Sequence, residues 1–441
     1  MHPRGSNTPG ARPGDLSSTP SRGLWDDTAP PAPPTGPIQG PLTAQVAVIG
    51  AGYTGLSAAL HLALAGVSTV VLEARDVGFG GSGRNVGLVN AGMWISPDEV
   101  ASTLGAPYGD RLLNELGDAP AYVFELIERH GIACEVERRG TLHCALGRSG
   151  LADLERRAAQ WTRRGAPVEL LGAGETAAKL GTDLYAGSLW DHRAGTIQPL
   201  AYARGLARAS LAAGARIFTQ SPVLSTHREG AEWRVVAEHG SVRAAWILAA
   251  TDAYTTGPWA AIAREQVPLP YFNLSTAPLD PTLLASLLPG RQGAWDTQAV
   301  LNSFRLDAAG RLIFGSIGAL EGAGKPIHTS WAERAVRRIF PQLGAARFER
   351  GWYGTIGMTA DRLPRFHELA PNAIAFCGYN GRGIAPGTAF GRLAAAYITG
   401  ACAKDDLPLP LTEVRSQPLR GMKQAMYSLG SQAVHWMQGR L

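Results

Sequence analysis

Two glycine clusters near the start of the chain have the residue types and spacing for chemistry. Gly50, Gly52 and Gly55 satisfy G-x-G-x-x-G, with Ala51 and Thr54 between them, and Glu73 follows about twenty residues on, before Ala74 and Arg75. In such a loop the first glycine makes a tight turn, the second lets backbone approach a pyrophosphate, and the third lets helix and strand pack closely. The free N–H groups and partial positive charge of a helix N-terminus would receive the anion. The Glu73 carboxylate can accept from ribose hydroxyls, which argues against a 2′-phosphate there. A nicotinamide enzyme usually continues from this acid into another strand-helix pair. Here a second glycine loop follows, Gly78, Gly80, Gly81, Gly83 and Gly87 around Ser82, Arg84 and Asn85, with Leu88 after it. Loops this rich in glycine are linkers or close approaches to a ligand, and the apolar residues that follow favour the ligand. No Ser/His/Asp set and no metal-ligand spacing stands out, so neither hydrolysis nor a metal site is expected. His143, in GTLHCAL, is the natural acid or base if one is used, against the commoner role of a packed core histidine.

The elements that must position these groups follow from apolar patterning. VAVIG is a continuous apolar run, Thr54 to Ala65 has a helical pattern, and STVVLEA reads as a second buried strand, which together make a βαβ unit. Residues 1–44 form a Pro/Gly/Ser-rich leader including APPAPPTGP, in which Leu24 and Trp25 can still dock on the body. Cofactor-binding segments are placed at 45–95, 195–262 and 345–405, with an inserted strand-rich module at 96–194 and 263–344 and a helical tail at 406–441. Within the module, ACEVERR and GTLHCAL read as strands. The tail carries Met422, Met426, Leu429, Trp436 and Met437 at spacing that makes much of one helical face apolar. That face either packs on the body or another subunit, or docks on a membrane surface.

At 441 residues the chain is long enough for two domains. Its 45 % apolar and 17 % charged residues describe a globular protein, not a disordered one. A net charge of +5 is carried almost wholly by scattered arginines, since lysine occurs only at 179, 325, 404 and 423. Without a basic stripe interleaved with aromatics, a nucleic-acid partner is not expected; an anionic small substrate remains open. Cys134, Cys144, Cys377 and Cys402 lack CxxC spacing and sit in apolar contexts, so they read as structural thiols. With no apolar signal-peptide core near the start, the expected location is cytoplasmic.

The succession of GAGYTGLSAA, Glu73-Ala74-Arg75 and GSGRN resembles the FAD-dependent D-amino acid oxidase and glycine oxidase superfamily. GTIQPLAYARGLA, SPV with Val223, AAT with Ala250 and Thr251, GWYGTIGMTADRLP with Gly357, and CGYNGRGIAPGTAFGRLAA with Gly381, Arg382, Gly383 and Ile384 resemble further cofactor-contacting segments of that superfamily. Together with the leader LWDDTAPPAPP they are most similar to the gamma-glutamylputrescine oxidoreductase branch, over Trp25 to Ala403. The chain departs from that branch at Val86, Leu88 and Arg382, where a glycine, a glutamine and often a histidine stand. The resemblance implies an α/β fold: a Rossmann-like, glutathione-reductase-like FAD-binding domain with an inserted mixed-sheet substrate domain. Relatives with covalent flavin use a cysteine in the segment corresponding to YGTIGMT, and none stands here, so a noncovalent FAD is expected.

It further implies oxidation of a C–N bond of a primary or secondary amine or amino acid to an imine, by hydride transfer to flavin N5, followed by hydrolysis. The electrons pass to O2, or to a quinone or carrier protein. A non-catalytic flavin-binding protein and a nicotinamide dehydrogenase are the other readings. The Asn380–Gly383 turn opens a helix whose N–H groups can offset charge on the ring. Arg382 is expected to hold a substrate carboxylate or offset that charge, Trp352 and Tyr353 to wall the substrate site, and Asn302 and Arg305 to meet its polar end. Some oxidases of the superfamily set a lysine over the ring, and Lys325 is the one lysine in the second segment of the module that can be compared with it.

Overall fold

Val46, Ala47 and Val48, followed by Ile49, present apolar side chains to both faces of a strand, which is satisfied only inside a sheet covered on both sides. In the computed structural model, which describes residues 22–344 and 347–438, strand Gly40–Ile49 lies between Thr69–Leu72 and Gly240–Ala249, parallel to both. Arg216–Phe218 continues the sheet beyond Thr69–Leu72, and Ala373–Cys377, Arg365–Ala370 and Leu411–Thr412 continue it on the other side. The hairpin of Val223–Glu229 and Glu232–Ala237 branches from Gly240–Ala249. Helix Tyr53–Leu64 covers one face beside Pro199–Ala212 and Ile384–Thr399. Glycine makes this packing close: a Cβ on Gly55 would lie 2.0 Å from the Gly50 carbonyl oxygen, and one on Gly391 2.5 Å from the Ser57 Cβ.

The second layer is an eight-stranded, mostly antiparallel sheet. Its order is Phe348–Met358, Val267–Pro278, Arg311–Ile317, Asn302–Leu306, Gly293–Asp296, Thr141–Ala145, Gly187–Asp191 and Val168–Gly172. Gly293–Asp296 and Thr141–Ala145 are its parallel pair, which joins the two sequence segments of the inserted module. Helix Gly324–Ile339 covers one face through Trp331, Val336 and Ile339.

Two details differ from the sequence reading. Strand Phe348–Met358, grouped there with the cofactor-binding segments, pairs with Val267–Pro278 in the antiparallel sheet. The strand expected in ACEVERR is reduced to a bridge between Glu137 and Thr196. Among the described leader residues Trp25 docks on the body as the sequence allowed: it is fully buried, donates its indole N–H to the Asn85 carbonyl at 3.0 Å and packs edge-on against Trp352. No helix of the described residues is long and apolar enough to cross a membrane.

Candidate active site

The two sheets enclose a cavity of about 880 Å³, at the upper end of the ~300–1,000 Å³ usual for ligand sites. One end is the βαβ turn. Gly50 adopts φ +104°, and a Cβ there would meet the Ala250 carbonyl oxygen at 2.8 Å. Gly52 is the N-cap of helix Tyr53–Leu64 and supplies no side chain, so backbone faces the cavity. Glu73 Oε2 accepts from Ala51 N–H at 2.8 Å and Oε1 from Arg75 N–H at 2.9 Å. Burial raises the Glu73 carboxyl pKa, while these backbone donors lower it. Ala74, Arg75, Val223, Ala250 and Thr251 complete this wall.

The second glycine loop packs against the first. Ser82 Oγ accepts from Tyr53 N–H at 3.0 Å, and Asn85 Nδ2 donates to the Gly81 carbonyl at 2.9 Å. The Asn85 side-chain oxygen accepts from Gly87 N–H, which fixes the exit of the loop. Gly81, Ser82, Arg84, Asn85 and Leu88 line the cavity. Opposite, Gly354, Ile356 and Gly357 of the antiparallel sheet and Gly381, Gly383 and Ile384 close it. Gly381 has φ +85° and Asn380 φ +52°, a reversal that aims a second uncapped helix N-terminus, that of Ile384–Thr399, at the same space. Two helix N-termini, backbone-only glycine walls and a buried acid at one end form a donor and acceptor set that fits the pyrophosphate and ribose of a flavin dinucleotide.

Trp94, Tyr271, Trp295, Leu301 and Met426 form a largely aromatic part of the same lining. His143 lies there, stacked on Trp295 with centroids 5.0 Å apart, and burial followed by the nearby Arg157 and Arg382 cations holds its pKa well below the ordinary value. It is therefore neutral at physiological pH. Arg157 is fixed at the wall by the carbonyls of Trp94 at 2.7 Å and Ile95 at 3.4 Å. Asp296 also reaches the cavity, its pKa raised by burial and drawn back by bonds from Asn302 and Gln298.

Several expected residues stand elsewhere. Arg382 is one layer behind the cavity, over the rings of Trp94 and Trp295, with a bond to the Ala91 carbonyl; burial lowers its pKa to about 9. It backs the aromatic wall instead of meeting a substrate carboxylate. Trp352 is fully buried under the leader and donates to the Arg84 carbonyl, so it does not wall the cavity. Tyr353 bonds Glu321 away from it. Asn302 turns its amide onto Asp296 at 2.7 Å, and Arg305 is buried over Trp25. Lys325 is exposed and outside the lining. Ala51, Gly55, Gly83 and Gly87 support the loops without lining the cavity; a Cβ on Gly87 would strike the Ile197 carbonyl oxygen at 2.1 Å. Cys377 is a buried strand residue. Trp94, Arg157, Tyr271, Trp295 and Asp296 were missed by sequence reasoning, since they come from four separate segments with no motif in common.

The family model described as FAD dependent oxidoreductase (DAO) matches residues 45–397. The chain is 33 % identical over 402 residues to gamma-glutamylputrescine oxidoreductase of Escherichia coli (strain K12), covering 88 % of this chain and 93 % of that one. It is 32 % identical over 363 residues to the probable oxidoreductase OrdL of Haemophilus influenzae, covering 81 % and 83 %. Glycine oxidase from Geobacillus kaustophilus superimposes with a TM-score of 0.69 at 21 % identity, over 84 % of this chain and 99 % of that one. At that identity the likeness shows the fold.

Proposed function

Given that the chain belongs to the DAO family of FAD-dependent oxidoreductases, we propose that it oxidises the C–N bond of a primary or secondary amine or amino acid to an imine, which water then hydrolyses. One observation carries this reading: the cavity lined by the two glycine loops and Glu73 is also lined by the aromatic rings of Trp94, Tyr271 and Trp295, with Asp296 and Arg157 among them. The similarity to gamma-glutamylputrescine oxidoreductase supports an amine as the bond attacked. Bound FAD supplies the two-electron acceptor for this chemistry.

The chain's own residues do the rest. Gly50, Gly52, Ser82 and the N-terminus of Tyr53–Leu64 would hold the pyrophosphate, and Glu73 the ribose. Gly354, Ile356 and the Asn380–Gly383 turn would flank the ring, with the N–H groups opening Ile384–Thr399 offsetting negative charge there. No covalent tether is proposed, because Cys377 lies in a strand outside the cavity lining. Trp94, Tyr271 and Trp295 exclude water and favour the uncharged amine, whose lone pair the oxidation requires. Asp296 attracts the cationic form into the site, and Arg157 suits an anionic end of the same molecule. Neutral His143 can accept a hydrogen bond but carries no charge to orient the substrate.

The test is anaerobic mixing of the purified yellow protein with amines, N-methyl amino acids, D-amino acids and gamma-glutamyl amines. Bleaching of the flavin band by at least one class is expected, and 2-hydroxy acids should leave it unchanged. Bleaching by hydroxy acids alone would overturn the assignment to C–N bonds. The rate at which colour returns in air distinguishes O2 from a quinone or carrier as acceptor.

A further inference from the structure

The C-terminal helix Arg420–Met437 is amphipathic in the inverted sense. Its buried residues are polar, Ser431 and His435, and its exposed residues are all glycine, alanine or large and apolar. Met422, Met426, Leu429, Trp436 and Met437 are 67, 62, 65, 54 and 49 % exposed, and at about 100° per residue they fall within an arc of roughly 100°. Leu419, just before the helix, extends the same stripe. A surface helix ordinarily turns such a stripe toward the core, and a contiguous exposed patch of this kind marks an interaction site.

Polar contacts fix this orientation at both ends. Arg420 Nε donates to the carbonyls of Ala263 at 3.1 Å and Gln266 at 2.8 Å. At the far end His435 stacks on Trp331 with centroids 3.6 Å apart, its Nδ1 lies 2.7 Å from His328 Nδ1, and Trp331 Nε1 donates to Gln438. Rolling the helix to bury its apolar stripe would break all of these.

Charge identifies the occupant. The helix has no Asp or Glu; Arg420 is turned onto the body, and Lys423 stands half-buried beside it. The helix packed against it, Gly324–Ile339, adds exposed Lys325, Arg337 and Arg338 against Glu333 alone, while its Arg334 bonds the His435 and Gln438 carbonyls. A second copy meeting this face would set cations against cations, whereas an anionic lipid surface complements it. We propose that helix Arg420–Met437 lies in the headgroup layer of an anionic bilayer with its apolar stripe toward the acyl chains. Met426, Tyr427, Gly430, Ser431 and Val434 of the same helix line the cavity, with Met426 shared between the lining and the stripe, so docking sets that wall against the bilayer and lets lipid-soluble molecules approach it. This last consequence rests on the proposed function; the docking itself does not.

The test is co-sedimentation of the full-length flavoprotein with vesicles of phosphatidylcholine, with and without phosphatidylglycerol. Binding to the anionic vesicles, weakened by salt, is expected. The triple variant Met422→Gln/Leu429→Gln/Met437→Gln, none of whose residues lines the cavity, should keep its flavin spectrum and lose about tenfold or more in partitioning. Lys325→Glu/Arg338→Glu, which leaves the stripe intact, should also weaken binding and serves if the triple variant does not fold. Absence of binding to either vesicle, or binding indifferent to both variants, would overturn the proposal. So would a dimer in sedimentation velocity that the triple variant dissociates, which would make a second copy the occupant. Each of these readouts is independent of turnover.

Discussion

Alanine at Gly55 would test the geometry of the cofactor turn most sharply. The added Cβ would lie 2.0 Å from the Gly50 carbonyl oxygen and 3.2 Å from Val48 Cγ1. Both the oxygen and the new carbon belong to the backbone frame, so no flexible side chain can yield, and helix Tyr53–Leu64 must move away from the loop by roughly 1 Å to restore contact distance. Its room is limited, because Gly391 already sits where a Cβ would meet Ser57 at 2.5 Å, and Ser210 Oγ donates to the Leu56 carbonyl. Overpacking costs about 1–3 kcal/mol, and a backbone clash hemmed in on two sides belongs at the upper end. The apoprotein can relax by displacing the helix N-terminus, but FAD requires it in place, so most of the strain appears as lost affinity. About 3 kcal/mol corresponds to roughly 100-fold in Kd. The assay is titration of deflavinated protein with FAD, followed by flavin fluorescence, beside the melting temperature of each form. Gly174→Ala is the control, since it sits in helix Ala173–Leu180 with nothing within 4 Å of the added Cβ and should be neutral or stabilising by up to about 1 kcal/mol. A Gly55→Ala protein that bound FAD within about threefold of the original and melted at the same temperature would refute the steric reasoning.

Asp296→Asn keeps the shape of the side chain but removes its charge and presents a donor to the amides of Asn302 and Gln298. The expected result is a KM for amine substrates raised about tenfold with kcat less affected; an unchanged KM would remove Asp296 from recognition. His328 and His435 hold depressed pKa values of about 4 and about 3, through burial and, for His435, the neighbouring His328 and Arg334 charges. From the ordinary value of 6.5 down to about 4 the unfolded chain therefore binds more protons than the folded one, so stability rises with pH across that window and is lost as pH falls through it. The melting temperature should fall on acidification from about pH 6.5 to 4.5, and His435→Gln should reduce that slope; a slope unchanged by the substitution would contradict the assignment.

What the sequence revealed best were positions where one residue type alone satisfies the backbone. Gly50 at φ +104° and Gly381 at φ +85° leave a signature because other residues are strained there. The aromatic compartment left none, because Trp94, Tyr271 and Trp295 are ordinary apolar positions until the antiparallel sheet brings their strands and loops together. Trp352 shows how a strand can be read correctly and its side chain misplaced. It shares a face with Gly354 and Ile356, which reach the cavity, but stands farther along the strand where Trp25 of the leader covers it. Asn302 failed for a related reason: residues 296–302 turn back on themselves, so its amide is spent on Asp296. In the tail, helical spacing showed an apolar stripe but not its direction, which depends on the partners that His435 and Arg420 find on other elements.

The proposed FAD site runs from Glu73 to the Gly381 turn and holds the flavin without a covalent tether. Acid precipitation of the purified full chain, with flavin measured in supernatant and pellet, tests it most directly. About one FAD per chain in the supernatant and a colourless pellet is the predicted result. Flavin retained in the pellet would contradict the noncovalent site, and a protein that neither carries nor takes up FAD would contradict the site itself.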